Sequence, residues 1–421
     1  MNCKIDKSKI SGKIICPPNK SYTHRAIFLA SLANGESNIE NVLHSADTKA
    51  TIEACKKFGA KINEKENNLV INSDSKIHPS IIDAANSGTT IRIAAAIASL
   101  ADGKTTLSGD FSLNQRPMKP LLDALESMGA KCSSNDGKPP IQVNGIIKGG
   151  RVSIPGNISS QFISALMISA PLTQNGIILN IEGDLVSKPY LDATITIMKK
   201  FGVDVKTETP YKKYSISKQA YKSTTITIPS DFSSLALLLS SSVLIGKDLE
   251  IIVKVSDLPQ GDEYFFEILK KLGADVNIVS DVITVKSPEK FDGGKFDLSN
   301  TPDLLPPLSI LALKTKKPIE IFNVKHARYK ETDRIAILTG ELKKLGIKVE
   351  EKEDGMILHS PDKLNGAYLN SENDHRLFMA FCIAGMYVGD CTVSDSDSVN
   401  VSYPNFIADM NNIGGRIKLS T

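Results

Sequence analysis

Lys271-Leu-Gly-Ala-Asp-Val276 is one of six related hexapeptides that recur along the chain at a nearly constant interval. The others are Lys57-Phe-Gly-Ala-Lys-Ile62, Ser127-Met-Gly-Ala-Lys-Cys132, Lys200-Phe-Gly-Val-Asp-Val205, Lys344-Leu-Gly-Ile-Lys-Val349 and Asn412-Ile-Gly-Gly-Arg-Ile417. Their glycines, at 59, 129, 202, 273, 346 and 414, lie 70, 73, 71, 73 and 68 residues apart. In each copy an amphipathic run ends at the glycine and a short apolar run follows. This is the pattern of a helix closing on a residue free to take positive φ and passing into a strand. An interval of that length is too long for a solenoid and too regular for chance, so it marks a duplicated supersecondary unit.

A second landmark lies some forty residues upstream of each glycine, where a small polar cluster precedes an unusually apolar helix. The clusters are Lys20-Ser21, Ser87-Gly88-Thr89, Ser159-Ser160-Gln161, Ser233-Ser234, Thr301-Pro302-Asp303 and Asp374-His375-Arg376. Each unit therefore reads strand, buried helix, strand, amphipathic helix, strand, strand. Six βαβαββ units in 421 residues, 41% of them apolar, divide naturally into two α/β domains of three units each.

The opening stretch Ile10-Ser-Gly-Lys-Ile-Ile-Cys16 has the look of a strand leading into a unit's first helix, whereas the last unit stops at Ile417-Lys-Leu without its closing strands. The expectation is that the N-terminal segment completes the C-terminal half. Residues 1–18 and 229–421 then form one discontinuous domain and 19–228 the other, with crossings at Pro17-Pro18 and near Ile228-Pro229, since paired prolines stiffen a linker and leave a sheet.

Charge and cysteine content exclude several classes. A net charge of +3, from 50 basic and 47 acidic residues without long runs of one sign, predicts neither a nucleic-acid partner nor a membrane surface. The six cysteines have no CxxC spacing and no neighbouring histidine pattern for a zinc set, so they read as reduced thiols of a cytoplasmic protein. The most apolar stretch, 233–245, is too short to span a bilayer.

The helix starts carry more chemistry than capping requires. One Ser, Thr, Asp or Asn suffices for a cap, which accounts for Ser233 and Ser87. Lys20 and Arg25, by contrast, flank a helix N-terminus where the dipole disfavours cations, an arrangement that makes sense around a bound anion. Arg116 precedes a proline, Ser187-Lys-Pro-Tyr190 places a hydroxyl and a cation at a helix start, and Lys330 and Arg334 are expected on one helical face within Arg328-Tyr-Lys-Glu-Thr-Asp-Arg334. Arg376 precedes a further apolar run. Arginine binds carboxylate or phosphate through two parallel bonds while staying ionised. Arg25, Arg116, Arg334 and Arg376, all at the same kind of topological position, predict a substrate with several negative charges.

With these residues in view, the whole chain resembles the 3-phosphoshikimate 1-carboxyvinyltransferase family, the enolpyruvylshikimate-phosphate synthases. The resemblance rests on Pro18-Asn-Lys-Ser-Tyr-Thr-His-Arg25, Asn86-Ser-Gly-Thr-Thr-Ile-Arg92, Arg116-Pro, Gly156-Asn-Ile-Ser-Ser-Gln-Phe162, Ser187-Lys-Pro-Tyr190, Pro302-Asp303, Lys330-Glu-Thr-Asp-Arg334 and Asp374-His-Arg376, in that order. It implies two inside-out α/β barrel domains, helices inside and sheets outside, with the active site in the cleft between them. It also implies the reaction, in which the 5-hydroxyl of shikimate 3-phosphate adds to the enolpyruvyl carbon of phosphoenolpyruvate and phosphate leaves. Neither a metal nor an organic cofactor is implied, members are often monomers, and the family is the target of glyphosate.

The resemblance further implies roles. Lys20, Ser21, Arg25, Ser159, Ser160, Gln161, Ser187, Asp303 and Lys330 match positions at shikimate 3-phosphate, with Tyr190 beside its ring. Lys20, Gly88, Arg116, Gln161, Arg334 and Arg376 match those holding phosphoenolpyruvate. Asp303 matches the acceptor of the 5-hydroxyl proton, and Glu331 and Lys20 match residues handling protons at the methylene and the leaving phosphate. Two positions depart from some relatives: Val401 stands where a lysine precedes an aromatic-proline step, and His326 where an asparagine meets the shikimate phosphate.

Two other readings compete. The UDP-N-acetylglucosamine enolpyruvyl transferases share the fold and carry a reactive cysteine ahead of the Arg-Pro step, but Gly109-Asp-Phe-Ser-Leu-Asn-Gln-Arg116 holds none. A non-catalytic repeat scaffold has no use for Asp303 and Glu331 beside four arginines, because unpaired acids weaken anion binding.

Overall fold

The computed structural model describes residues 1–420. It divides into a terminal unit, made of Met1–Pro17, Ser230–Ser256 and the chain from Gly261 onward, and a central unit, made of Pro18–Pro229 with Asp257–Gln260. The chain thus passes between units at 256/257 and 260/261 as well as at 17/18 and 229/230.

The central unit holds three helix pairs: α1 (Lys20–Leu32) with α2 (Ala46–Phe58), α3 (Gly88–Ala98) with α4 (Lys119–Ser127), and α5 (Ser160–Ser169) with α6 (Lys188–Lys200). The terminal unit holds α7 (Phe232–Ile245) with α8 (Tyr264–Lys271), α9 (Leu305–Ile310) with α10 (Arg334–Lys344), and α11 (His375–Val388) with α12 (Phe406–Asn412). Gly59, Gly129, Gly202, Gly273, Gly346 and Gly414 all take positive φ, from +79° to +118°, at the ends of the second helices. In α2 the Gly59 N–H returns to the carbonyl of Lys56, ending the helix before the strand Lys61–Lys65.

Every pair of helices carries a four-stranded sheet of one design. In the third repeat, Gly150–Pro155 runs parallel to Ile177–Glu182, which pairs antiparallel with Lys213–Ile216, which in turn pairs antiparallel with Lys206–Thr209. Three strands arrive out of sequence. Thr225–Thr227 leads the sheet of α1 through parallel pairing with Gly35–Glu40. Ile10–Ile15, although it immediately precedes α1, pairs instead with Gly246–Ile252 and leads the sheet of α7. Asn2–Ile5 inserts between Cys391–Val393 and Ile417–Ser420 and supplies the strand that the last repeat lacks.

The first helix of each repeat is buried almost all round and forms the interior of its unit. The helix α3 packs on α5 in the central unit, and α11 packs on α7 and α9 in the terminal unit. All residues of α7 are buried. Its aliphatic side chains, including Leu235, Leu237, Leu238, Leu239 and Val243, are at most 1% exposed, each burial being worth roughly 1.5–3 kcal/mol. Its serines are accommodated because they bond back along the helix: Ser240 Oγ donates to the Ala236 carbonyl and Ser241 Oγ to that of Leu238. The sheets cover this interior with one face and leave the other to solvent, as the alternating burial of Asn68–Ser73 shows.

Two local expectations are corrected. The cap of α7 is Asp231, whose Oδ1 accepts from the Ser233 and Ser234 amides, so Ser233 lies inside the helix. The apolar helix expected after Thr301-Pro302-Asp303 is also not one helix. A 3-10 turn, Pro302–Leu304, contains Asp303, then α9 follows, then a second 3-10 segment, Leu311–Lys314. Pro306 and Pro307 occupy the first turn of α9, where a missing N–H costs no helical bond. Among the described residues no helix is long and apolar enough to cross a membrane.

Candidate active site

In the central unit the expected residues gather at the N-termini of α1, α3, α5 and α6. Asn19 caps α1 by accepting from the Tyr22 amide, which leaves Lys20 as the first helical residue; its Nζ lies 2.9 Å from Asp47 Oδ2. Arg25, one turn further, is 2% exposed. Its Nε donates to Thr194 Oγ1 (2.8 Å), Nη1 to the Ser21 hydroxyl and carbonyl, and Nη2 to the Tyr190 carbonyl (3.3 Å) and Ser164 Oγ (3.4 Å). Every one of these acceptors is neutral. Burial without a carboxylate partner lowers the guanidinium to about 10, and a buried cation in neutral surroundings is an unfilled electrostatic demand for an anion. Arg25 thereby joins Ser21 to Tyr190. Ser187 stands beside them as the cap of α6, in the left-handed region at φ +56°.

A second cluster surrounds the start of α3. Ser87 caps the helix and Gly88 opens it. A Cβ added at Gly88 would lie 3.1 Å from Arg116 Nη1, 3.4 Å from Arg92 Nη1 and 3.7 Å from Gln161 Oε1, so two guanidinium groups and an amide converge on this backbone. Arg116 is steered by Asn86, its Nη2 donating to Asn86 Oδ1 at 2.9 Å. Arg92 donates to Gln161 Oε1 and lies over the Phe162 ring at 5.0 Å, while Gln161 Nε2 donates to Thr89 Oγ1 at 3.1 Å. Ser159 caps α5 and Ser160 is its first residue. Backbone amides at a helix N-terminus with two cations beside them make an anion cradle.

The terminal unit assembles Asp303, Lys330, Glu331, Arg334 and Arg376. Arg334 is 1% exposed and held by three carboxylates: Nη1 donates to Asp303 Oδ1 (2.8 Å), Nη2 to Glu331 Oε2 (2.8 Å) and Nε to Asp374 Oδ2 (2.7 Å). Burial opposes its charge, but Asp374, Glu331 and Asp303 outweigh burial and raise its pKa further. Around Asp303 stand two more cations, Arg376 Nε at 3.5 Å and Lys330 Nζ at 3.6 Å. Burial raises the Asp303 carboxyl, yet Lys330, Arg376 and Arg334 together hold it well below the usual carboxylate range. It is therefore ionised.

Lys330 and Arg334 reach Asp303 by a route other than a shared helical face. Lys330 ends the 3-10 segment Lys325–Tyr329, and Asp333 caps α10 so that Arg334 is its first residue. His326 is buried, and burial with Lys330 nearby lowers it to about 4, so it stands as a neutral ring. Val401 closes a 3-10 segment, Ser396–Val401, and places no charge there. Sequence reasoning did not single out Asp47, and it quoted Arg92 and Asp374 within motifs without giving either a role. For Arg92 the signal was its i+4 spacing from Gly88; for the two acids, only folded geometry reveals the cationic partner. Among the described residues no group of His, Cys, Asp or Glu is arranged to hold a metal ion.

Comparison with known proteins agrees over the full length. Residues 5–410 match the profile of the EPSP synthase (3-phosphoshikimate 1-carboxyvinyltransferase) family. A 3-phosphoshikimate 1-carboxyvinyltransferase of Nitrosopumilus maritimus is 64% identical, over 99% of this chain and 100% of the relative. That of Methanosarcina acetivorans is 44% identical, over 99% of both. Among solved structures, the EPSP synthase of Acinetobacter baumannii superposes with a TM-score of 0.82 at 25% identity, covering 100% of each chain. The enolpyruvyl transferase NikO of Streptomyces tendae superposes with 0.80 at 16% identity, covering 100% of this chain and 98% of that one, a likeness of fold.

Proposed function

This chain belongs to the EPSP synthase family and is a 3-phosphoshikimate 1-carboxyvinyltransferase by activity; we propose that the clusters described above carry that reaction. The enzyme transfers the enolpyruvyl group of phosphoenolpyruvate to the 5-hydroxyl of shikimate 3-phosphate and releases phosphate, a step of aromatic amino acid biosynthesis. The observation that carries the proposed roles is the ionised Asp303, a base of good geometry fixed by Arg334 and placed beside Lys330 and Arg376.

In this reading Lys20, Ser21, Arg25, Ser159, Ser160, Gln161, Ser187, Tyr190, Asp303 and Lys330 act on shikimate 3-phosphate, and Lys20, Gly88, Arg116, Gln161, Arg334 and Arg376 act on phosphoenolpyruvate. Asp303 removes the 5-hydroxyl proton as the oxygen bonds to C2 of phosphoenolpyruvate. A proton is delivered to the methylene, and the tetrahedral intermediate then loses phosphate with a proton from the new methyl group. Glu331 and Lys20 divide these two transfers.

The depressed acidity of Asp303 fits this sequence. A carboxylate held by three cations is a weak base, but substrate anions that draw on Lys330 and Arg376 remove part of that stabilisation and raise its proton affinity. The base is thus strengthened when both substrates are present. Arg334 keeps it aimed throughout, because Glu331 and Asp374 anchor the same guanidinium.

The proposal also includes a monomeric cytoplasmic enzyme that needs no nucleic acid, membrane or cofactor. Carbon-13 NMR of the protein with labelled phosphoenolpyruvate and shikimate 3-phosphate tests the activity. A carboxyvinyl ether at the 5-oxygen is the expected product; simple hydrolysis to pyruvate, with the second substrate unchanged, refutes the assignment.

A further inference from the structure

Beneath the helix starts of the central unit runs a chain of buried hydroxyls that the proposed mechanism does not use. His24 Nδ1 lies 2.6 Å from Thr51 Oγ1, Thr51 Oγ1 lies 2.6 Å from Thr90 Oγ1, and Thr90 Oγ1 donates to Ser87 Oγ at 2.7 Å. The Thr90 amide donates to the same Ser87 oxygen at 3.2 Å. His24, Thr51, Thr90 and Ser87 are each 0% exposed. They stand on α1, α2, α3 and the cap of α3, so the chain ties three helices together.

The direction of every bond follows from the last one. Thr90 spends its only hydroxyl proton on Ser87, so at its contact with Thr51 it is the acceptor. Thr51 therefore donates to Thr90 and must accept from His24. His24 is then the Nδ1–H tautomer, and it is neutral, because burial first and then Lys20 and Arg25 push its pKa well below the ordinary value. Its Nε2 keeps a lone pair with no partner among the described residues, the tolerable end at which to leave a buried chain unpaired. All donors point from α1 towards the cap of α3.

We propose that the His24-Thr51-Thr90-Ser87 chain is a positioning device for phosphoenolpyruvate: it fixes the N-terminus of α3, and with it Gly88 and the amides that face the anion, relative to α1. The chain starts on α1 between Lys20 and Arg25 and ends on the residue before Gly88. It therefore registers the phosphoenolpyruvate cradle against the helix assigned to shikimate 3-phosphate. An anion held by backbone amides is sensitive to sub-ångström shifts of the helix end, because misplaced donors lose both distance and angle. This inference rests on the assignment of Gly88 to phosphoenolpyruvate.

The test is steady-state kinetics of Thr51→Val, which keeps the shape and deletes the central donor and acceptor. KM for phosphoenolpyruvate should rise roughly five- to tenfold while KM for shikimate 3-phosphate stays within about twofold, and Thr51→Ser should restore the parent value. Thr90→Val breaks the next link, and the double variant should be no worse than either single one. Should Thr51→Val not fold, Thr90→Val makes the same discrimination alone, because the Thr90 amide still reaches Ser87. An unchanged KM for phosphoenolpyruvate, or an equal rise for both substrates, overturns the proposal. Gly88→Ala run in parallel separates the two claims. If it raises KM for phosphoenolpyruvate while the threonine variants do not, the cradle stands and the chain is only structural. If it leaves that KM unmoved, the assignment of Gly88 has failed and the chain has no cradle to position.

Discussion

Replacing Asp303 by Asn keeps the volume of the side chain and one oxygen acceptor but removes both the charge and the capacity to take a proton. A capping role can be set aside, because Asp303 lies within the 3-10 turn Pro302–Leu304 and Thr301 precedes that turn. What the substitution breaks is a charge cluster: the 2.8 Å bond to Arg334 and the contacts with Arg376 and Lys330 at 3.5 and 3.6 Å. Deleting one member of a buried ion pair costs about 3–5 kcal/mol when the partner is stranded. Arg334 is not stranded, since Glu331 and Asp374 still hold it, so the loss at neutral pH should be smaller, about 1–3 kcal/mol.

The sign with pH is fixed. The folded pKa of Asp303 lies below its unfolded value, so its stabilisation is fully present above the unfolded pKa of about 4 and disappears as pH falls through the folded value. The stability gap between parent and Asp303→Asn should therefore be constant from pH 8 to 6 and close in strong acid. Catalysis should suffer far more than stability. Loss of the base predicts a fall in kcat of about 10²-fold or more, about 3 kcal/mol or more of barrier. Phosphate-release kinetics, denaturant titration and calorimetric binding of shikimate 3-phosphate measure the three quantities on one preparation. A variant that binds shikimate 3-phosphate and keeps kcat within tenfold of the parent refutes the role of Asp303 as the base.

Two further outcomes follow from other residues. Gly88→Ala brings a methyl group to 3.1 Å from Arg116 and 3.4 Å from Arg92, both flexible ends that can yield, so the protein should fold; inhibition constants should show glyphosate, the bulkier occupant, losing more affinity than phosphoenolpyruvate. Asp262 is raised to about 7, first by burial and then by Asp303, so burying it destabilises the fold increasingly as pH climbs from about 4 towards that value. Asp262→Asn should consequently gain melting temperature relative to the parent between pH 5 and 8, and a difference independent of pH would show that the carboxyl is already ionised or already neutral throughout.

The repeat architecture was legible because it is written in local terms. Each glycine must take positive φ, each buried helix is apolar all round, and neither depends on distant partners. The helix caps were partly legible. At α7 the competition between Asp231 and Ser233 was settled by the first residue able to reach two amides at once, a matter of backbone geometry that composition does not carry. The ion pairs were the least legible. Lys330 was expected beside Arg334 on a helix, yet Asp333 caps α10 and Arg334 is its first residue, so Lys330 lies outside the helix and meets Arg334 through Asp303, which is 27 positions upstream of Lys330. The neutral surroundings of Arg25 also depend on Thr194 and Ser164, more than 130 residues away. Such partners are selected by the packing of α6 on both α1 and α5, which no short window of sequence encodes.

Phosphate release from phosphoenolpyruvate, measured with shikimate 3-phosphate and with UDP-N-acetylglucosamine as alternative co-substrates, bears most directly on the enzyme's function. Release that requires shikimate 3-phosphate and is absent with the nucleotide sugar is the predicted result. Release supported by UDP-N-acetylglucosamine, or by neither, would contradict it.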